Sequence, residues 1–329
     1  MTDGTSPSED QPPSLLTLMQ YVRSEIRASL FGPEPAPPSG DSDRRERERV
    51  LELELEQLPY NLMAARKSIL RLDELLAAIA FEPVDVPNMP SGVTPISVIL
   101  PHEQLPAAWT VDQFLDSGRR AQNALTRYVA RAFKVSVPLS LNDYMSRPGR
   151  YVESVPAPVH GLLQEYWTSH GVTLKRYRDL AQHHAVVSSN MAAFSDASGP
   201  RVRLLLPSNP DETSLAKIAY GPPYVHASTY CRTEFLALLA VSYKLVYLIF
   251  RYLGVSQDAS WSLLRPHPVP LGPPESFAPL PRQALDLELD ITTRTSFNDA
   301  LASYGALTDE KLRPPSGSKM SPRIADRSG

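Results

Sequence analysis

Along most of this chain apolar residues recur at intervals of three and four, the spacing of a helix buried on one side. Between Leu15 and Phe31 they fall at Leu15, Leu18, Met19, Val22, Ile26 and Leu30, which predicts a short amphipathic helix. The following GPEPAPPSGDSD places glycine and proline where helices stop. The longest periodic run extends from Arg44 to Phe81, with Leu51, Leu55, Leu58, Leu62, Ala65, Ile69, Leu72, Leu76 and Ile79 forming a seam for packing against other helices. Pro59 carries no amide hydrogen, so a kink or a break into two helices is expected there. The run opens with DRRERERV, whose alternating signs describe a solvated helix face better than a nucleic-acid arm.

Residues 82–108 are proline-bearing and aperiodic except for ISVIL (Ile96 to Leu100), which reads as a strand or an extended crossing. Thr110 is the expected cap of the next helix, whose stripe is Val111, Phe114, Leu115, Gly118, Ala121, Leu125, Tyr128, Ala132 and Phe133. After a ragged connection the stretch from Ala157 to Asn190 again has a helical pattern. Projected at about 100° per residue, Leu163, Trp167, Leu174, Tyr177, Leu180, Ala181 and His184 share one face, with Val187 at its margin. Lys175, Arg178, Asp179, Gln182 and His183 share the other. Gly171 is the weak point of that helix, because glycine lowers helix stability.

Further on, RVRLLL and LAKIAY flank PSNPDETS, whose Asn209, Pro210 and Asp211 are turn formers, so a β-hairpin over 201–220 is predicted between the last two helices. Ser228 or Thr229 is positioned to cap the final helix, Tyr230 to Leu253. That segment is apolar enough to raise the question of a membrane span. Lys244 and Arg251 argue against one, since an ionised group at a bilayer centre costs about 3 kcal/mol, and a buried bundle helix is expected instead. The organisation read from the pattern is a disordered 1–13, N-terminal helices over 14–81, and a helical bundle over 110–254. Residues 255–329 then form a Pro-rich linker, a strand pattern at 285–291 (Leu285, Leu287, Leu289 and Ile291 alternating with acidic residues) and a disordered tail.

Composition narrows the chemistry. The 329 residues carry a net charge of −3, so no global basic field points to nucleic acid. The single Cys231 excludes an intramolecular disulfide framework and, with no secretion signal in the first residues, leads to the expectation of a cytoplasmic protein. No phosphate-binding glycine loop, paired-cysteine motif, HExxH or nucleophile elbow is present. His102, His160, His226 and His267 have no ligand set beside them, so no metal and no cofactor are expected. The one compact group of chemically capable side chains is Lys175, Arg178, Asp179, Gln182, His183 and His184, and no basic run flanks it.

Within that group Arg178-Asp179-Leu180-Ala181-Gln182-His183 forms an R-x4-H pattern with a polar residue directly after the arginine. It lies in YWTSHGVTLKRYRDLAQHH and is followed by RLLLPSNP. Over about Thr110 to Gly254 these words resemble the HEPN superfamily, in its bacterial, all-helical form. The resemblance implies a mainly α fold, a HEPN-like bundle with a β-hairpin inserted between its last two core helices. It also implies one of two functions. The first is a metal-independent homodimeric endoribonuclease. Its His183 would act as general acid or base and its Arg178 would hold the scissile phosphate. Asp179 would orient His183 or contact RNA, and Lys175 and Gln182 would bind the RNA. The second is a non-catalytic helical interaction protein of the same fold, in which these residues hold an interface. Imidazole titrates near neutrality and guanidinium binds phosphate in a fixed fork, so the residue types suit the chemistry.

Overall fold

The computed structural model describes residues 15–32, 41–78, 96–99, 105–183, 190–196, 199–212, 214–221 and 223–253. The expected disordered ends, the Pro-rich linker, the strand pattern at 285–291 and His184 with Val187 lie outside those residues. What is described is mostly helical: α1 (Leu15–Phe31), α2 (Ser42–Ala78), α3 (Leu105–Ala132), α4 (Leu141–Ser146), α5 (Ala157–Tyr166), α6 (Val172–His183) and α7 (Ala227–Tyr252). Four short strands join them, β1 (Ile96–Ile99), β2 (Asn190–Asp196), β3 (Gly199–Leu206) and β4 (Val225–His226).

The apolar seams form the core. Leu15, Leu18, Met19, Val22 and Ile26 of α1 are buried, as are Leu51, Leu55, Leu58, Leu62, Ala65, Ile69 and Leu72 of α2. The stripe of α3 from Val111 to Phe133 joins the same cluster. Helix α7 runs through the centre and packs against α1, α2, α3 and α5, and against the end of the sheet. Among the described residues it is the one helix long and apolar enough to cross a membrane by length and composition. Most of its apolar surface is covered by the bundle, and even Lys244 is buried. Burial pushes the Lys244 ammonium below its ordinary range, and the carboxylate of Glu165 partly offsets that shift.

Four expectations are answered. Of the kink or break expected at Pro59 there is no break, and helix α2 runs on through it. The carbonyl of Leu55, which would have bonded residue 59, instead accepts from Tyr128 Oη of α3 at 3.0 Å. Thr110 is not a cap, because α3 begins at Leu105 and the Thr110 hydroxyl donates back to the Pro106 carbonyl at 2.7 Å. Neither Ser228 nor Thr229 caps α7, which starts at Ala227 after His226.

The hairpin is the fourth. Strand β3 pairs with the segment before it, β2, in the register Asn190↔Leu205 to Asp196↔Gly199, and not with 215–220. The sheet is antiparallel in the order β1-β2-β3-β4, with β4 set against the end of β3 by Leu205↔His226 and Leu206↔Val225. The turn residues stand where expected but close a loop. The Asn209 side chain donates to Lys217 O and accepts from Ala219 N, both at 2.9 Å, and Leu215–Lys217 coils into a 3₁₀ turn.

Candidate functional site

The helical pattern that starts at Ala157 is interrupted at the expected weak point. Between α5 and α6, Trp167–Gly171 form a π segment, in which the amide of Val172 reaches back five residues to the Trp167 carbonyl. Gly171 is there for space. A Cβ on it would lie 2.9 Å from Trp167 Cε3, 3.2 Å from Tyr166 Cε1 and 3.3 Å from Gln122 Nε2. Beyond the π segment Leu174, Tyr177 and Leu180 turn into the core, while Ala181 is half-buried at its margin. Tyr177 Oη donates to the Pro207 carbonyl at 2.7 Å and so ties α6 to the end of β3.

The opposite face of α6 carries the polar group. Lys175, Arg178 and Asp179 are half-buried, and Gln182 and His183 are exposed at the helix end. Lys175 Nζ lies 2.6 Å from one Asp179 oxygen, and Arg178 Nη1 lies 3.4 Å from the other. Arg178 Nη2 also approaches Asp116 Oδ1 of α3 at 3.9 Å, and the second Asp116 oxygen holds Arg120 at 2.9 Å. The result is an alternating line of charges, Lys175, Asp179, Arg178, Asp116 and Arg120, with three cations and two anions. Asp179 thus has an oxygen on each of two cations of its own helix, and Arg178 is held by carboxylates from two helices.

Behind this face lies a buried polar network that the sequence pattern does not reveal. Gln122 of α3 is fully buried; its Oε1 accepts from Arg119 Nη1 at 2.8 Å. Its Nε2 donates to Tyr166 Oη at 2.8 Å and to the Gly171 carbonyl at 3.2 Å. Tyr166 Oη donates in turn to Glu234 Oε1 of α7 at 3.0 Å, and Glu234 Oε2 faces His170 Nδ1 at 3.2 Å. The Arg119 guanidinium stands over the Trp167 ring, 5.7 Å from its centroid. Burial pulls the Arg119 pKa below its ordinary value, Asp179 and Tyr166 oppose that, and Arg178 adds to it. Arg119 therefore lies within electrostatic reach of Arg178 and Asp179.

Glu234 is the one signal that a reader of the sequence could have used, as a lone carboxylate in the apolar run of α7. Among the described residues no group of three or more His, Cys, Asp or Glu side chains gathers as a metal site. Asp116, the α3 partner of Arg178, lines a groove of about 390 Å³ between α2 and α3. No family model, no curated protein and no solved structure matches this chain.

Proposed function

We propose that this protein is a HEPN-like, metal-independent endoribonuclease that acts as a homodimer. The observation that carries the reading is the placement of Arg178 and His183 on the polar side of α6, outside the buried face, with the guanidinium steadied by Asp179 and Asp116. In this reading two copies bring their α6 faces together over a single-stranded RNA. His183 takes the proton of a ribose 2′-hydroxyl, and the 2′ oxygen attacks the adjacent phosphorus. The bond to the 5′ oxygen breaks, that oxygen receives a proton from the second imidazole, and a 2′,3′-cyclic phosphate remains. Arg178 donates to the non-bridging oxygens and stabilises the charge that builds on them. A cytoplasmic location goes with the reading.

A second reading has its own support. Carboxylates from two helices already flank Arg178, which suits a structural or interface role in a non-catalytic helical protein. One assay separates the two. Single-stranded RNA incubated in EDTA is cut to cyclic-phosphate ends by the ribonuclease, and Arg178→Ala and His183→Ala each abolish the cutting without unfolding the chain. Cutting that needs magnesium, or that survives both substitutions, removes the catalytic reading and leaves the interaction protein.

A further inference from the structure

The geometry points to the groove between α2 and α3 as the track that leads a single-stranded RNA to the Arg178 face. This goes beyond the resemblance, whose coverage starts after α2, and it rests on the ribonuclease reading only for what the track serves.

The two walls of the groove have the same spacing. Tyr60, Ala64, Lys67 and Arg71 follow one another at steps of four, three and four on α2, and Gln113, Asp116 and Arg120 at steps of three and four on α3. The helices run antiparallel, since Tyr128 meets Leu55 and Arg131 meets Glu54 at one end while Arg71 and Gln113 line the groove at the other. Three cations and one carboxylate therefore face a shared channel, roughly 16 Å long from the eleven steps between Tyr60 and Arg71 on α2. Its floor is polar and uncharged, made of the buried Asn61, Ser68 and Ser117, so a sugar–phosphate backbone can come close.

Tyr60, which lines the groove, is 63% exposed, and Trp109, one turn before Gln113 on α3 and outside the lining, is 53% exposed. Rings that remain in solvent beside a cationic channel suit single-stranded nucleic acid, in which bases stack on aromatics while phosphates meet Lys and Arg. The carboxylates nearby do not close the channel to phosphate. Arg71 shares a solvent-exposed pair with Glu74, the kind of pair that holds weakly and exchanges readily. Asp116 belongs to the groove and to the site at once, with one oxygen on Arg120 and the other 3.9 Å from Arg178. A strand lying on Lys67, Arg71 and Arg120 would next meet Arg178.

The test is fluorescence anisotropy of a labelled short oligouridylate with the full chain in EDTA, on a His183→Ala background so that the strand is not consumed. Lys67, Arg71 and Tyr60 are exposed, so Lys67→Ala/Arg71→Ala and Tyr60→Ala should fold, which circular dichroism checks. The double variant is expected to weaken binding roughly tenfold or more and to flatten the slope of log affinity against log salt by about 1.4, the loss of two single-strand phosphate contacts. Tyr60→Ala is expected to weaken binding about tenfold, the loss of one stacked base. If RNA is bound and cut but both groove variants bind it like the parent, the track is wrong and the ribonuclease reading stands. If the groove variants lose RNA binding while no form of the chain cuts RNA, the track holds and the ribonuclease reading falls. If the intact chain ignores RNA yet binds polyglutamate through Lys67 and Arg71, the groove is a docking surface for an acidic protein and the proposal is overturned.

Discussion

The hydroxyl of Tyr128 serves a carbonyl that Pro59 cannot. Residue 59 would normally donate its amide to Leu55 O one turn back, and with proline there the α3 side chain donates at 3.0 Å instead, inside the core. The bond explains how α2 carries a proline through a buried seam, and it fixes α3 against α2 at that level. Tyr128→Phe is expected to destabilise the fold by about 1–3 kcal/mol, because it strands a buried acceptor. In a Pro59→Ala background the new amide can take over Leu55 O, so the same substitution should cost markedly less. Urea titrations of the four proteins give the coupling, and additive costs would refute the relationship.

Gly171→Ala should be among the more damaging single-atom additions in the protein. The new methyl would meet Trp167 Cε3 at 2.9 Å, with Tyr166 and Gln122 close on either side. A loss of about 1–3 kcal/mol is expected, with a change in the near-ultraviolet signal of Trp167, whereas Gly161→Ala, which meets nothing within 4 Å, should be neutral or stabilising.

Glu234 is buried and accepts from Tyr166 Oη at 3.0 Å, with His170 Nδ1 3.2 Å from its other oxygen. Glu234→Ala removes the acceptor at the end of the Arg119–Gln122–Tyr166 chain and is expected to cost about 2–3 kcal/mol. Glu234→Gln keeps an acceptor for Tyr166 and should cost less. Equal losses on thermal melting would show that the negative charge, and not the hydrogen bond, is what matters there.

Alkaline pH should unfold the protein cooperatively. Burial raises the phenol pKa of Tyr144 and of Tyr177 to about 12, and it raises that of Tyr128 still further. A raised folded-state value means the neutral phenol is favoured in the fold. The stability is therefore complete below the unfolded value of 10.0 and is lost as pH climbs from 10 towards 12. Each such tyrosine contributes about 1.4 kcal/mol of loss per pH unit in that window. On the acid side burial depresses the His160 pKa, so the opposite sign applies and its contribution fades as pH falls below 6.5. Denaturant midpoints measured from pH 5 to 11 should show a plateau between those limits, and Tyr177→Phe should flatten the alkaline decline.

The long helices were legible in the sequence because each buries one face, and a buried face leaves a period; the six-residue α4 was not, and Asn190, read as the end of a helical run, opens β2. Leu15 to Phe31 reads as α1 to the residue, the seam of α2 is buried from Leu51 to Leu72 with Leu76 half-buried, and the stripe of α3 lies inside as spaced. The partner of β3 was not legible, since β2 pairs backbone to backbone with strands on both sides and its own residues carry no helical break. The polar network was hidden for a different reason. Gln122, Tyr166 and Glu234 are separated by 44 and 68 residues, and each alone looks like a misplaced polar group in an apolar stripe. The polar face of α6 could be projected from the pattern, but Asp116 and Arg120, which join that face to the α2–α3 groove, come from another helix. That approach is set by packing and leaves no spacing to read.

The π segment sets where the R-x4-H pair sits on the molecule. It holds one residue more than an ordinary turn would, between Tyr166 and Val172. The wider turn absorbs that residue, so α5 and α6 keep nearly the phase of one continuous helix. Were the same five residues wound as an ordinary α-helix, everything after them would be carried round, taking Arg178 off Asp116 and Tyr177 off the Pro207 carbonyl. The position of the candidate site is thus governed by a count of residues. A one-residue deletion there would return the turn to an ordinary one and leave the pair close to its place, whereas the same deletion within α6 would turn it away.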